Sequence, residues 1–212
     1  MRKAFIDKKD KDLLAGLHKL KDELQKLKEE LRSEHSDNSQ TEKNIRFITS
    51  ELFSEADSGR ALIRRANEIP SKEAHYNRNR LMPVNSLPQS PEMAEAFGWD
   101  GNVGAACHQF TSPDRSNRKS VSQDGHSEVI FDHAGHPVTA SEDYGTYNFG
   151  DSRQDPVGHF YRDVLPWLLW GNDEIDSTDM GQRLKALVVY GGIEATQTRR
   201  KKESAAGEPP QS

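Results

Sequence analysis

Residues 155–172 read DPVGHFYRDVLPWLLWGN, and this stretch decides the fold. Asp155 before Pro156 is a cap-and-first-turn pair that opens a helix. Gly171-Asn172 closes it. Between them, His159 to Trp170 is the most apolar helix-length run in the chain. A helix apolar almost all round belongs in a core. The Trp167–Trp170 end also has the composition of a membrane-interface segment, but a chain this short of apolar residues needs it as core. Pro166, inside the run, is expected to kink the helix or split it in two.

Working outward, Met180–Tyr190 reads as a last helix stopped by Gly191-Gly192, and 193–212 as a disordered tail carrying Arg199-Arg200-Lys201-Lys202. Upstream the character is β. Arg118–Ser122, Ser127–Asp132 and Pro137–Thr139 read as a meander with turns at Asp124-Gly125 and Ala134-Gly135, and Gly145–Phe149 as a fourth strand. Ser90-Pro91 opens a short helix that Gly98 closes. Prolines 70, 83 and 88 mark 70–90 as a Pro-rich linker.

The N-terminal 1–69 reads as helical. Leu13, Leu17, Leu20, Leu24, Leu27 and Leu31 form a heptad seam among charged residues. Ser39-x-x-Glu42 is a capping box for a second helix with Ile45, Ile48, Leu52 and Phe53 on its apolar face. Ser58-Gly59 interrupts it, and Arg60–Ile69 is a third piece. The seam needs a partner: a hairpin with the next helix, or a second chain in a coiled coil. The expectation is an α+β protein, with a helical N-terminal region, the linker, and an α+β domain over 91–192 in which a small antiparallel sheet packs against C-terminal helices.

Composition narrows the function. The chain has 212 residues and 33% hydrophobic residues, roughly 38% once Gly is counted and Tyr left out, against about 45–50% for a globular domain. Mean hydropathy is −0.89, so part of the chain must be a solvated helix, loop or tail. No run approaches the ~18 apolar residues of a membrane span, and the charged start MRKAFIDKKDKD lacks the apolar stretch of a secretory signal. A single cysteine, Cys107, rules out an internal disulfide or an all-cysteine metal site. The net charge of −5 argues against a generally basic nucleic-acid binder while leaving room for a local basic site. No phosphate-cradling glycine loop, HExxH, GxSxG or CxxC is present, which disfavours kinases, P-loop NTPases, dinucleotide oxidoreductases, α/β hydrolases and zincins.

Five of the eight histidines lie between His108 and His159, alongside Cys107, Lys119, Glu128 and Asp163. His159 and Asp163 stand at i and i+4 on the apolar helix, where a carboxylate can hold an imidazole in one tautomer. The competing reading is an ordinary helix-surface pair. His108, Glu128 and Lys119 supply a second acid–base pair and a cation. With His159 they make up a set that cleaves a phosphodiester without a metal or other cofactor. The alternative nucleophile is Cys107 with His126, as in a peptidase or amidase, although a lone cysteine is more often a buried small hydrophobe. His133-x-x-His136 with Asp132 has metal-ligand chemistry but sits in a tight turn. Histidines at such turns, His126 among them, are ordinarily solvated surface groups.

The strings Lys119–Gly125, Glu128–Asp132, Gly135–Val138, GTYNF (145–149) and HFYRDVLPWLLWGN (159–172) together resemble a C-terminal toxin module of bacterial polymorphic toxins, of the Rhs and type VI secretion effector kind, over about residues 108–172. The resemblance implies an antibacterial effector delivered without a signal peptide, cytoplasmic in its producer and acting inside the target cell. It implies a cognate immunity protein as partner. The N-terminal leucine helix lies outside it, and in such effectors would dock on the secretion apparatus or an adaptor protein. Combined with the side-chain chemistry, the lead expectation is a hydrolase, with RNA or another nucleic acid favoured as substrate. A Cys107/His126 enzyme acting on peptidoglycan is the alternative, and a non-enzymatic coiled-coil adaptor or immunity-like binding protein is a third reading.

Overall fold

The structure is a computed structural model and describes residues 2–33, 39–53, 67–80, 87–103, 105, 107–149 and 154–190. The Ser58-Gly59 break, most of the expected Arg60–Ile69 helix and the tail beyond Tyr190 lie outside these residues. The fold is α+β. In chain order it comprises α1 (Arg2–Ser33), α2 (Ser39–Phe53), α3 (Lys72–Arg80), α4 (Pro91–Ala96), β1 (Asp100–Val103), β2 (Arg118–Val121), β3 (Glu128–Phe131), α5 (156–170) and α6 (180–190). Among the described residues no helix is long and apolar enough to cross a membrane.

The leucine seam of α1 finds its partner within the chain. Leu13, Leu17, Leu20, Leu24 and Leu27 are buried and pack on α5 and α6. They form one cluster with Phe160, Tyr161, Leu165, Leu168, Leu184 and Val188, which Ile48 and Leu52 of α2 join. Burial of each such side chain is worth roughly 1.5–3 kcal/mol, so apolar surface from both chain ends holds this layer together. Helices α1 and α5 approach closely at Gly16, where an added Cβ would sit 3.0 Å from Leu169. The expected hairpin with the next helix is therefore a lesser part of the packing. No second copy is needed to cover the seam. Lys28 donates to Thr49 (3.2 Å) and Asn44 to the Val188 carbonyl (3.0 Å), tying α2 to both neighbours.

The sheet runs β1-β2-β3, antiparallel throughout. Pairing of Lys119 with Ile130 and of Val121 with Glu128 puts Lys119 and Glu128 on one face, since side chains alternate along a strand. Val129 and Phe131 take the other face and pack with Ala94 of α4 and with Trp99. Two expected strands shrink. Pro137 pairs only through a single bridge to Phe131, as a proline without an N–H must. Tyr147 bridges only Ser127. Strand β1, which no alternating pattern announces, supplies the third position instead.

Two further differences bear on function. The linker 70–90 contains α3, in which His75, Tyr76, Arg78 and Asn79 are buried. Helix α5, capped by Asp155 accepting from Gly158 N–H (2.9 Å), is not split by Pro166. It widens into a π turn over Phe160–Val164 before resuming as Leu165–Trp170. Pro166 has no N–H for the carbonyl four residues back, that of Arg162. That carbonyl accepts instead from Arg78 Nη1 at 3.0 Å, and a proline in α5 thus anchors a cation from α3.

Candidate active site

A cleft of about 90 Å³ opens between a helical wall and a sheet wall, and His75, Arg78, Cys107, His108, Lys119, Glu128, Thr146, Asn148, His159, Asp163, Val164, Trp167 and Asn172 line it. His108, Lys119, Glu128, His159 and Asp163, the five residues expected from sequence to carry chemistry, all face it.

On the helical wall, His159 Nδ1–H donates to Asp163 Oδ2 at 3.1 Å, which assigns the tautomer and leaves Nε2 for chemistry. The ring keeps 21% exposure while Asp163 keeps 6%. Arg78 Nη1 donates to the other carboxylate oxygen of Asp163 at 2.9 Å, and the Phe149 backbone N–H donates to both, at 3.0 and 3.1 Å. Arg78 Nη2 donates to His75 Nδ1 at 2.9 Å. His75 Nε2–H donates to the Gly171 carbonyl at 2.8 Å. Burial, then the adjacent Arg78 cation, pushes His75 down to about 4, so it stays neutral and serves as an acceptor. Burial also pulls the Arg78 guanidinium below its ordinary value, against the opposing pull of Asp163. The chain His75–Arg78–Asp163–His159 thus fixes one accessible imidazole from behind.

On the sheet wall, Glu128 is the hub. Thr146 donates to Oε1 through its hydroxyl (2.9 Å) and its backbone N–H (3.2 Å), and Asn148 donates to Oε2 (3.2 Å). Lys119 Nζ stands 3.7 Å and His108 Nε2 3.5 Å from the same carboxylate. Burial alone would raise Glu128, but the Lys119 charge and these bonds outweigh it and hold the group at about 2. His108 is lowered, first by burial, which outweighs the opposing pull of the Glu128 carboxylate, with Lys119 adding to the lowering, so its surroundings favour the uncharged ring. Its Nδ1 is buried and has no hydrogen bond of good geometry among the described residues, while the nearby Asp143 backbone pulls the ring weakly toward its charged form.

Sequence reasoning missed His75, Arg78, Thr146 and Asn148. The available signal was in α3, where His75, Arg78 and Asn79 fall at i, i+3 and i+4 on one face, but the surrounding prolines masked it. For the strand-like 145–149 string it was the alternation of Thr146 and Asn148 with Tyr147 and Phe149. The alternative pair does not assemble as expected. Cys107 lines the cleft but His126 does not; its Nδ1 bonds the Asn148 carbonyl at 2.7 Å and its ring stacks on Tyr147. His133 and His136 are exposed, and Asp132 accepts from the backbone N–H groups of Ala134 and His136, both at 2.9 Å. Among the described residues no three His, Cys, Asp or Glu side chains are grouped to hold a metal ion.

Comparison of the chain with protein-family models, with curated proteins and with solved structures gives no match. The chemical reading therefore rests on the cleft.

Proposed function

We propose that the cleft cleaves RNA without a metal, and that the chain is an antibacterial effector toxin neutralised by a cognate immunity protein. The supporting observation is the meeting of His108, Lys119, Glu128 and the His159–Asp163 pair, from separate elements, around one hollow. The effector part rests on the resemblance of the 145–149 and 159–172 strings to polymorphic-toxin modules, and delivery into the target cell goes with it.

The division of labour follows from position and burial. His108, kept neutral by burial, takes the proton of a ribose 2′-hydroxyl. The 2′-oxygen attacks the adjacent phosphorus, the bond to the 5′-oxygen breaks, and a 2′,3′-cyclic phosphate forms. His159, oriented from behind by Asp163 with Nε2 facing the cleft, serves as the acid that gives its proton to the departing 5′-oxygen. Lys119, 18% exposed at the cleft, meets the charge that develops on the phosphoryl oxygens. Glu128 stays ionised and positions both His108 and Lys119.

Purified protein should cut single-stranded RNA to cyclic-phosphate ends and leave DNA of the same sequence intact. His108→Ala and His159→Ala should each lower kcat by roughly 10²–10⁴-fold. Intact RNA with the wild-type chain overturns the reading. Activity abolished by Cys107→Ala but spared by His159→Ala transfers the chemistry to the thiol, with peptidoglycan as the substrate to test.

A further inference from the structure

Beside the cleft runs a row of rings that the chemistry above does not use. Along 146–149 the side chains alternate. Thr146 and Asn148 turn inward to Glu128, which sends Tyr147 and Phe149 to the other side. The His126 ring lies parallel to Tyr147, centroids 5.6 Å apart and planes 8° from parallel. Phe149 meets Tyr147 edge-on at 5.6 Å. Arg78 sits 5.0 Å from the Phe149 centroid, so this ring touches the same guanidinium that holds Asp163. Phe149 keeps 51% of its surface exposed, although a soluble chain ordinarily buries a phenylalanine.

The placement is fixed from behind. The Phe149 backbone N–H is held by Asp163, and His126 is held through the Asn148 carbonyl. The segment lies against β3 at Gly145, where an added Cβ would collide with the Glu128 carbonyl and the Val129 Cα. The backbone that presents these rings is therefore fixed before any ligand arrives, which lowers the ordering cost for a partner that stacks on them.

We infer that His126, Tyr147 and Phe149 form a stacking platform for the unpaired bases of single-stranded RNA next to the scissile phosphate, with the open face of Phe149 taking the base nearest the cleft. This inference rests on the ribonuclease reading of the cleft and adds to it the part of the substrate that is gripped. Flat rings with exposed faces suit nucleobases, every one of which has a π face. Sequence-tolerant grip by stacking also fits a chain whose net charge of −5 limits what phosphate attraction alone supplies. A duplex, with its bases already stacked on each other, is excluded from such a platform.

The test uses the full chain carrying His159→Ala, a fluorescein-labelled ten-nucleotide single-stranded RNA, and the same RNA in a duplex, read by anisotropy. Adding Phe149→Leu should weaken single-strand binding roughly 5- to 100-fold, and Tyr147→Leu should weaken it less, since that ring is already partly covered. Duplex binding should be weak and unchanged. In the active protein, Phe149→Leu should raise KM for the RNA far more than it lowers kcat. Both leucine variants should keep the far-ultraviolet circular dichroism and melting temperature of the parent within a few degrees. Single-strand binding unaffected by Phe149→Leu in a folded variant overturns the platform and leaves the rings as a protein-docking surface. Binding that depends on Phe149 while the wild type leaves RNA uncut keeps the platform and removes the ribonuclease reading, so the two fail separately.

Discussion

The two walls of the cleft solve the same problem differently. Each carries an imidazole beside a carboxylate and a cation. On the helical wall the carboxylate is Asp163, the cation is Arg78 with 8% exposure, and the hydrogen-bond chain runs unbroken from the Gly171 carbonyl to His159. On the sheet wall the cation is Lys119, open to the cleft, and the histidine lines the same cleft with only 8% of its side chain exposed. A guanidinium cannot shed its proton, so the helical wall keeps a fixed, buried cation against Asp163. The sheet wall instead places its cation where a substrate can reach it and its histidine where burial withholds charge. One wall is built to hold a proton donor still, the other to leave a base neutral.

The largest break in this comparison should come from the carboxylates. Asp163→Asn leaves Arg78 buried without its counter-charge and is expected to cost about 3–5 kcal/mol in urea unfolding. Glu128→Gln should cost less than half of that, because Lys119 can turn to water. Equal losses for the two variants would contradict the asymmetry.

Acid should separate the walls next. His75 protonates near 6.5 in the unfolded chain but only at about 4 when folded, so between those values the unfolded state binds the extra proton. Stability is complete above pH 6.5 and should fall by about 3 kcal/mol as pH drops towards 4, with His108 acting in the same direction. Glu128 behaves as a depressed carboxylate: from an ordinary 4.5 it is held at about 2. Its contribution is present above pH 4.5 and is lost as pH falls from there towards 2. Urea midpoints measured from pH 7.5 to 2.5 should show both declines, and Glu128→Gln should flatten only the lower one.

The smallest effect comes from the support of the sheet wall. Gly145→Ala drives a methyl group into the β3 backbone and should cost roughly 1–3 kcal/mol. Because Thr146 and Asn148 shift with it, RNA cleavage should fall while the melting of the α1–α5–α6 layer, followed by tryptophan fluorescence, changes little. Unchanged cleavage would show that Glu128 does not depend on this segment.

Much of this was legible in the residue order. The heptad leucines of α1, the capped apolar helix at 155–170, and the strands β2 and β3 with their glycine turns all follow from local periodicity and turn chemistry. The His159–Asp163 pair follows from helical spacing alone. Helix α3 did not, since its buried face is polar and prolines flank it. Strand β1 did not either, since four residues of Asp, Gly, Asn and Val carry no alternation.

The amino-acid order by itself settled α1, α2, α5, α6 and the strands β2 and β3, and which side chains are able to move protons, because spacing and side-chain chemistry are local properties. Tertiary structure alone decided that the α1 leucines would be covered by α5 and α6, that Arg78 would take the carbonyl freed by Pro166, and that His108 and His159 would face the same hollow. Those outcomes depend on how separate elements compete to bury apolar surface and satisfy trapped polar groups. That competition has no signature in any single stretch of chain.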